Sequence, residues 1–432
     1  MKKLSRYVHL VEKDGQYYLF NVYNGRVMSL NKRLAELIYT QRDDIESVRE
    51  VHPSLYEALE KSGMTVEETV DEVSQAIEHF EEQDRNPSSF GIIVNPTLDC
   101  NLRCWYCYET HQRGTIMTEK TLEAVKRLIN NKLADERLKH LSVSFFGGEP
   151  LLGWKNVVVP LLSYAAEECG KRGVSFSTGF TTNGVLLTEA KYEMLSSLGL
   201  GKSSFQISFD GHKIFHDKSR IGATKQPTYY RIMTNVKEGA KRGFKMNLRF
   251  NYTPETLDSF MDVLGDILEF PEETHKNIYC NFQQVWQTQG TATDVKERAE
   301  QVADCFRQAG FATDTDRIFH RHVCYADREN CAVVNYDGNI FKCTAREFSQ
   351  DRSEGLLTDD GNIEWNERFY ERMAVKFRDE ACRTCRIMPI CNSGCSQGKL
   401  ERDKAFACPQ NKGEIEKRAH LIGALTQKLS NL

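Results

Sequence analysis

The chain opens with three short apolar runs, Tyr7–Val11, Tyr17–Val22 and Arg26–Leu30, separated by Lys13-Asp14-Gly15 and Tyr23-Asn24-Gly25. Asp-Gly and Asn-Gly supply the positive backbone torsions that tight hairpin turns need, so the pattern predicts three antiparallel strands. Apolar positions then recur at helical spacing over Leu34–Tyr39, Leu55–Lys61 and Val66–Phe80. Gln83–Ser89 is polar, contains Pro87 and reads as a linker. From Gly91 the rhythm changes. Strand-like runs at Gly91–Val94, Leu141–Phe146, Ser175–Phe180, Phe205–Phe209, Met246–Phe250 and Ile278–Val285 alternate with helical stretches such as Glu119–Leu133, Glu189–Leu198 and Tyr229–Lys241. This alternation predicts an α/β fold with a parallel sheet and right-handed crossovers. Ligands of such sheets sit at the carboxyl ends of the strands. From Glu414 an amphipathic helix carries Leu421, Ile422, Leu425 and Leu429, and reads as packing.

The densest chemistry follows the first strand of the alternating series. Cys100, Cys104 and Cys107 stand at C-x3-C-x2-C spacing. Three thiolates can hold three irons of a cubic iron–sulfur cluster and leave the fourth open. The alternatives are a zinc site, which usually takes four ligands with C-x2-C pairs, or three core cysteines. Phe146-Gly147-Gly148-Glu149-Pro150 ends the second strand, where glycines let the backbone approach a ligand closely. Thr181-Thr182-Asn183-Gly184 ends the third strand and Ile207-Ser208-Phe209-Asp210-Gly211 the fourth, with Arg220 twelve residues after Ser208. A last block holds Cys324, Cys331, Cys343, Cys382, Cys385, Cys391, Cys395 and Cys408, with Gly338 in a short hairpin before Cys343. A C-x2-C pair alone would favour zinc; the upstream triad favours iron–sulfur. Cys169, Cys280 and Cys305 remain, and Cys169 and Cys280 read as small buried hydrophobes.

Charge changes the picture at one place. Residues 1–85 hold 11 Lys and Arg against 17 Asp and Glu, a net of −6, the wrong sign for a DNA-binding winged helix. The whole chain, at −4, shows no bulk attraction to nucleic acid or to an anionic membrane. No stretch approaches the ~20 apolar residues of a spanning helix. Fourteen cysteines behind a polar start argue for metal binding over disulfides, and so for a cytoplasmic, oxygen-poor setting.

The three-cysteine loop, Phe146–Pro150 and the eight later cysteines resemble the radical SAM enzymes that carry a SPASM extension, specifically their peptide-modifying branch. The resemblance covers nearly the whole chain. It implies a partial (β/α)6 barrel over residues 90–310, a SPASM domain over 320–412 and a C-terminal helix over 413–432. Over residues 1–85 it implies a winged-helix-like domain that captures the leader of a ribosomally made precursor peptide by strand addition. It implies three 4Fe–4S clusters. Cys100, Cys104 and Cys107 would hold the first, with S-adenosylmethionine on its open iron. Cys324, Cys331, Cys343 and Cys395 would hold the second, and Cys382, Cys385, Cys391 and Cys408 the third. For S-adenosylmethionine it implies contacts from Tyr106 to the adenine and from Gly147, Gly148 and Glu149 to the amino group. It adds Asn183 from the third-strand motif, Ser208 at the ribose or carboxylate, and Arg220 at the carboxylate. The implied activity is reductive cleavage of the cofactor to a 5′-deoxyadenosyl radical. That radical takes a hydrogen from the peptide and so installs a cross-link or related modification. An external donor such as flavodoxin or ferredoxin would supply the electron. Two other readings stand beside this one. A sulfatase-maturing enzyme usually has an aspartate after the cysteine matching Cys343, where this chain has Thr344. A non-catalytic leader-binding iron–sulfur scaffold would not need the intact cysteine and Gly-Gly-Glu-Pro motifs. The motifs assign no catalytic acid or base and do not name the peptide.

Overall fold

The computed structural model describes residues 1–222, 226–288, 294–313, 324–402, 408 and 413–430. The chain divides into two units, one of Met1–Arg85, Asp316–Glu329 and Glu371–Leu432, the other of Asn86–Thr315 and Asn330–Tyr370.

In the first unit β1 (Lys2–Leu4) is followed by β2 (Val8–Lys13), β3 (Gln16–Asn21) and β4 (Arg26–Leu30). Strands β2, β3 and β4 form the expected antiparallel meander. Its first turn places Asp14 at φ +53° and Gly15 at φ +75°, the left-handed torsions that the Asp-Gly pair announces. Three helices follow, Lys32–Thr40, Glu46–Val51 and Pro53–Lys61, the first capped by the Asn31 side chain on the Leu34 N–H.

The helix expected over Val66–Phe80 is corrected. Thr65–Glu67 is strand β5, paired antiparallel with β1, and the helix runs from Glu72 to Asp84. Two physical facts move it. Thr65 and Val66 are β-branched and pair with a strand, and Asp71 caps the helix by accepting from the Val73 and Ser74 N–H groups. The helix also takes the first two residues of the expected linker, and Ser89 already begins the next strand. Tyr7, Val11, Phe20 and Phe80 share one core with Phe377, Met388, Leu421 and Leu425. The helix Glu414–Ser430 supplies the last two of these.

The second unit is α/β. Strands β6 (Ser89–Val94), β7 (His140–Phe145), β8 (Ser175–Thr182), β9 (Ser204–Phe209), β10 (Lys245–Tyr252) and β11 (Ile278–Gln284) run parallel in that order. Helices Glu119–Leu133, Val159–Arg172, Glu189–Ser197, Tyr229–Lys241, Phe260–Leu268 and Asp294–Gln308 connect or follow them. This is the six-unit parallel arrangement of an open, partial barrel. The two-residue β12 (Ala312–Thr313) lies beyond β11. On the other side β13 (Cys331–Val334) pairs parallel with β6, and β14 (Asn339–Phe341), β15 (Gly355–Leu357) and β16 (Ile363–Trp365) continue the sheet antiparallel. Phe145, Phe180 and Phe205 stand opposite one another on β7, β8 and β9, stacked at 5.1 and 5.0 Å, and form a rigid aromatic layer in the core. Cys169 and Cys280 are buried in this core, as expected. No helix among the described residues is long and apolar enough to cross a membrane.

Candidate active site

The loop after β6 carries the three cysteines. Cys100 is buried, Cys104 half-buried and Cys107 exposed, and none of them is in a disulfide. Asp99 shapes the loop by accepting from the Cys100 N–H at 2.7 Å and the Gly114 N–H at 3.0 Å. Two donors point at the Cys100 sulfur, the Leu102 N–H at 3.4 Å and Asn183 Nδ2 at 3.7 Å. Burial pushes the Cys100 thiol up to about 12 and raises Cys104 as well. A bare thiolate is thus costly here, and a metal that coordinates it removes that cost. Among the described residues no three His, Cys, Asp or Glu side chains converge closely enough to hold one metal ion. A four-iron cube asks for less convergence, because each thiolate meets its own iron. Donors on the sulfur and a triad on one short loop fit that group.

The turn after β7 is built against this loop. Gly147 and Gly148 have φ of +78° and +49°, and a Cβ on Gly148 would lie 2.2 Å from the Asp99 carbonyl oxygen. Only glycine fits there. The Glu149 N–H donates to the same carbonyl at 2.8 Å. The Glu149 carboxylate is fully buried and accepts from the Leu151 N–H, the Asn183 N–H and the Thr182 hydroxyl at 2.8–3.0 Å. It ties the end of β7 to the end of β8. Burial raises its pKa, and those donors oppose the rise. Asn183 also donates to Asn101 at 2.7 Å, so the third-strand motif touches the cysteine loop.

Arg220 follows the helix Lys213–Ser219 and is buried. Its Nη1 donates to the Tyr106 hydroxyl at 2.9 Å and lies 3.6 Å from Asp210 Oδ1. The Tyr106 hydroxyl donates to Asp210 at 2.7 Å. Asn251 of β10 donates to both at 3.1 and 3.3 Å, and the Ser219 hydroxyl reaches the other Asp210 oxygen at 2.7 Å. Burial works to lower the Arg220 pKa, but Cys104, Tyr106 and Asp210 around it outweigh that and hold it well above the usual value. The Arg220 Nε is buried with no hydrogen-bond partner among the described residues. Ser208 lies half-buried on β9, in register with Arg249.

Sequence reasoning missed Asn251, Ser219 and Glu109. Glu109 accepts from the Gly148 N–H at 2.7 Å, and burial lifts its carboxyl to about 7 against that bond. Its place two residues after Cys107 was the only signal. Asn251 had none, because a strand pattern does not say which polar residue turns into a site. Beside the loop Trp105, Tyr108 and Trp286 are exposed; Tyr108 stacks on Trp286 at 5.7 Å, and the Arg346 guanidinium lies 5.5 Å from the Trp286 ring.

The later cysteines fall in both units. Cys331 begins β13, and Cys343 follows β14, where it accepts from the Ala345 N–H at 3.4 Å. Cys324 and Cys395 belong to the first unit, and Cys395 accepts from the Gly398 N–H at 3.4 Å. Cys382, Cys385, Cys391 and Cys408 all lie in the first unit. Cys382 accepts from the Ser393 hydroxyl at 3.5 Å and Lys399 Nζ at 3.8 Å, and Lys399 pairs with Asp379 at 2.8 Å. Burial raises the Cys385 thiol; Lys417 lowers it, and Cys408 and Cys382 add to the rise, so these three sulfurs are electrostatic neighbours.

Residues 94–267 match the radical SAM superfamily. The radical SAM cyclopropyl synthase TigE of Paramaledivibacter caminithermalis is 22% identical over 99% of this chain and 96% of its own length. A cysteine-type anaerobic sulfatase-maturating enzyme of Clostridium novyi is 29% identical over 34% of this chain, which spans 40% of that enzyme's length. Among solved structures, anSMEcpe with bound AdoMet aligns at TM-score 0.59 and 18% identity, over 79% of this chain and 98% of that one. Streptococcus suis SuiB bound to S-adenosylmethionine aligns at 0.51 and 15%, over 94% and 98%. Radical SAM enzymes use S-adenosylmethionine and a 4Fe–4S cluster, and the cysteine loop and strand-end motifs described above lie within or beside the matched span.

Proposed function

We propose, on the premise that this chain is a radical SAM enzyme, that it is a maturase of a ribosomally made peptide. In this reading Cys100, Cys104 and Cys107 hold a 4Fe–4S cluster whose open iron binds S-adenosylmethionine. That pair, once reduced, supplies a carbon-centred radical able to take hydrogen from a peptide carbon. The chain's own residues bind and orient. Arg220, with an unpartnered Nε in a buried setting, holds the cofactor carboxylate; Tyr106 packs on the adenine; Gly147 and Gly148 present backbone; Asn183 and Ser208 line the approach. Glu149 fixes the strand ends beneath them. Cys324, Cys331, Cys343 and Cys395, and Cys382, Cys385, Cys391 and Cys408, hold two further clusters, with backbone N–H groups aimed at the Cys343 and Cys395 sulfurs.

The observation that carries the peptide reading is the open edge of β4. Among the described residues no strand pairs with its outer side, and the helix Lys32–Thr40 packs beside it. A leader peptide can add there as a fourth strand, with side chains against the helix. SuiB has been solved bound to its precursor peptide SuiA, and anSMEcpe with the Cp18Cys peptide. The exposed ledge of Trp105, Tyr108 and Trp286 gives a core peptide an aromatic surface beside the cysteine loop. Thr344, in place of the sulfatase-maturing aspartate, disfavours that chemistry.

The test is anaerobic reconstitution, reduction and addition of S-adenosylmethionine, then of peptides encoded beside this gene. The expected result is 5′-deoxyadenosine alone in the first case, and a peptide lighter by two hydrogens or otherwise modified in the second. No 5′-deoxyadenosine from protein with full iron and sulfide would refute the enzyme reading and favour a scaffold. Modification of a sulfatase Cys or Ser peptide instead would favour the rival.

A further inference from the structure

A cavity of about 450 Å³ in the first unit is lined by Lys3, Arg6 and Arg386 together with Asp71, Glu72 and Thr384. Its lining holds three cations against two carboxylates, a net of +1. The two carboxylates are committed: Asp71 caps the helix Glu72–Asp84 through the Val73 and Ser74 N–H groups, and Glu72 accepts from the Ser5 hydroxyl and the Arg6 N–H. The cations bond only to backbone carbonyls. Arg6 Nη2 donates to Thr384 at 3.0 Å, Arg386 Nε to Arg6 at 2.9 Å and Nη2 to Val8 at 2.7 Å, and Lys3 Nζ to Glu68 at 3.1 Å. A carbonyl satisfies a donor and leaves the charge. Among the described residues none of these three cations pairs with a carboxylate, and the Arg6 Nε is buried with no partner. Like charges crowd further: burial lowers the Arg386 pKa, and Arg42 and Arg6 lower it more. Such a cluster is a standing electrostatic cost that an incoming anion relieves.

We propose that this cavity binds the carboxylates of an acidic peptide segment, which in this protein is a stretch of the precursor's leader. The proposal rests on the maturase reading for the leader and on the cavity alone for the carboxylates. Arg386 Nε and Nη2 are taken by carbonyls, so the Nη1 groups of Arg6 and Arg386 and the Lys3 ammonium are the donors left for a carboxylate. The surroundings select against long polyanions, because residues 1–85 carry a net of −6 and repel a nucleic acid. A cationic pocket in an acidic field admits a short acidic segment and turns basic peptides away only at the pocket itself, so position along the leader is what it reads.

The probe is fluorescein-labelled hexaglutamate with the full-length protein at low salt, read by anisotropy, with hexaglutamine as the neutral control. Arg386 ties two backbone carbonyls of the unit, so the variants are Arg6→Gln and Lys3→Gln, whose bonds are exposed. Hexaglutamate is expected to bind, to weaken as salt rises, and to lose about tenfold in affinity in each variant, with melting temperatures unchanged. Equal binding of hexaglutamine, or equal binding by the variants, overturns the proposal. Displacement by inorganic phosphate beyond that by chloride at the same ionic strength overturns the peptide assignment. A second arm changes the leader's Asp and Glu to amides. Modification at low precursor concentration should then fall in the wild type but not further in Arg6→Gln. A precursor that wild type never modifies refutes the maturase reading, and the hexaglutamate result still judges the cavity.

Discussion

Two arginine sites in this molecule are built on opposite terms. Arg220, at the mouth of the parallel sheet, has Asp210 and the Tyr106 hydroxyl beside its Nη1, and its charge is compensated within the fold. Arg6 and Arg386, in the other unit, have carbonyl partners and each other, and among the described residues neither is in an ion pair, although Asp71 and Glu72 line the same cavity. A buried ion pair held by three further donors fixes one geometry, at the desolvation cost of two ions. An unbalanced cluster fixes little and waits for a counter-ion. The first arrangement suits a site that must be ready before its small ligand arrives. The second suits a surface that earns its stability from what binds.

The hardest break is at the compensated site. Replacing Cys100, Cys104 and Cys107 together by Ala removes the thiols beside Arg220 and should abolish cleavage of S-adenosylmethionine. Iron analysis should fall from about twelve to about eight per chain if all three clusters are four-iron cubes. Asp210→Ala leaves the Arg220 guanidinium buried and unpaired, so the unfolding free energy should drop by about 3–5 kcal/mol in denaturant titration. A drop under about 1 kcal/mol would mean that water already reaches the pair. At the uncompensated site the effects are smaller. His9 sits against Arg386, its ring bonded to that residue's carbonyl, and burial depresses it to about 4. The unfolded chain, with an ordinary histidine near 6.5, binds the proton first. Stability should therefore fall as pH drops from about 6.5 toward 4, by about 1 kcal/mol after allowance for solvent screening. His9→Gln should flatten that slope in pH-dependent melting. Smallest of all, Arg6→Gln should leave stability within about 0.5 kcal/mol or raise it slightly, because it removes repulsion. A clear loss would show that Arg6 is compensated after all.

Much of this was legible in the chain. The six strands of the barrel lie where the sequence pattern puts them, because along most of each strand buried residues alternate with less buried ones, a period of two that the chain shows directly. The Asp-Gly turn was legible because one torsion demands one residue. Val66–Phe80 misled: its apolar spacing fits a helix, and only pairing with Lys2–Leu4, at the far end of the segment, makes its start a strand. The backbone was legible where residue type is forced, as at Gly148, whose torsion and close approach to Asp99 admit only glycine. The site was not legible at Asn251, Ser219 and Glu109, whose roles come from which loop the fold brings opposite them. Nor does any local pattern announce that Tyr7 and Phe80 share a core with Leu425.

The pairing of β13 with β6 sets a timetable. Its partners are 240 residues apart in the chain, from Cys331 opposite Gly91 to Val334 opposite Val94. At about 5–20 residues per second, a ribosome needs roughly 12 to 48 seconds to deliver that second strand. Throughout that interval the flank of β6 that will carry β13 is an uncovered edge, directly beside the loop of three thiols. The nascent chain is thus open to wrong strand partners and to oxidants at the same place and time. Slow codons, chaperone capture or early metal delivery would have their greatest benefit there, before residue 331 emerges.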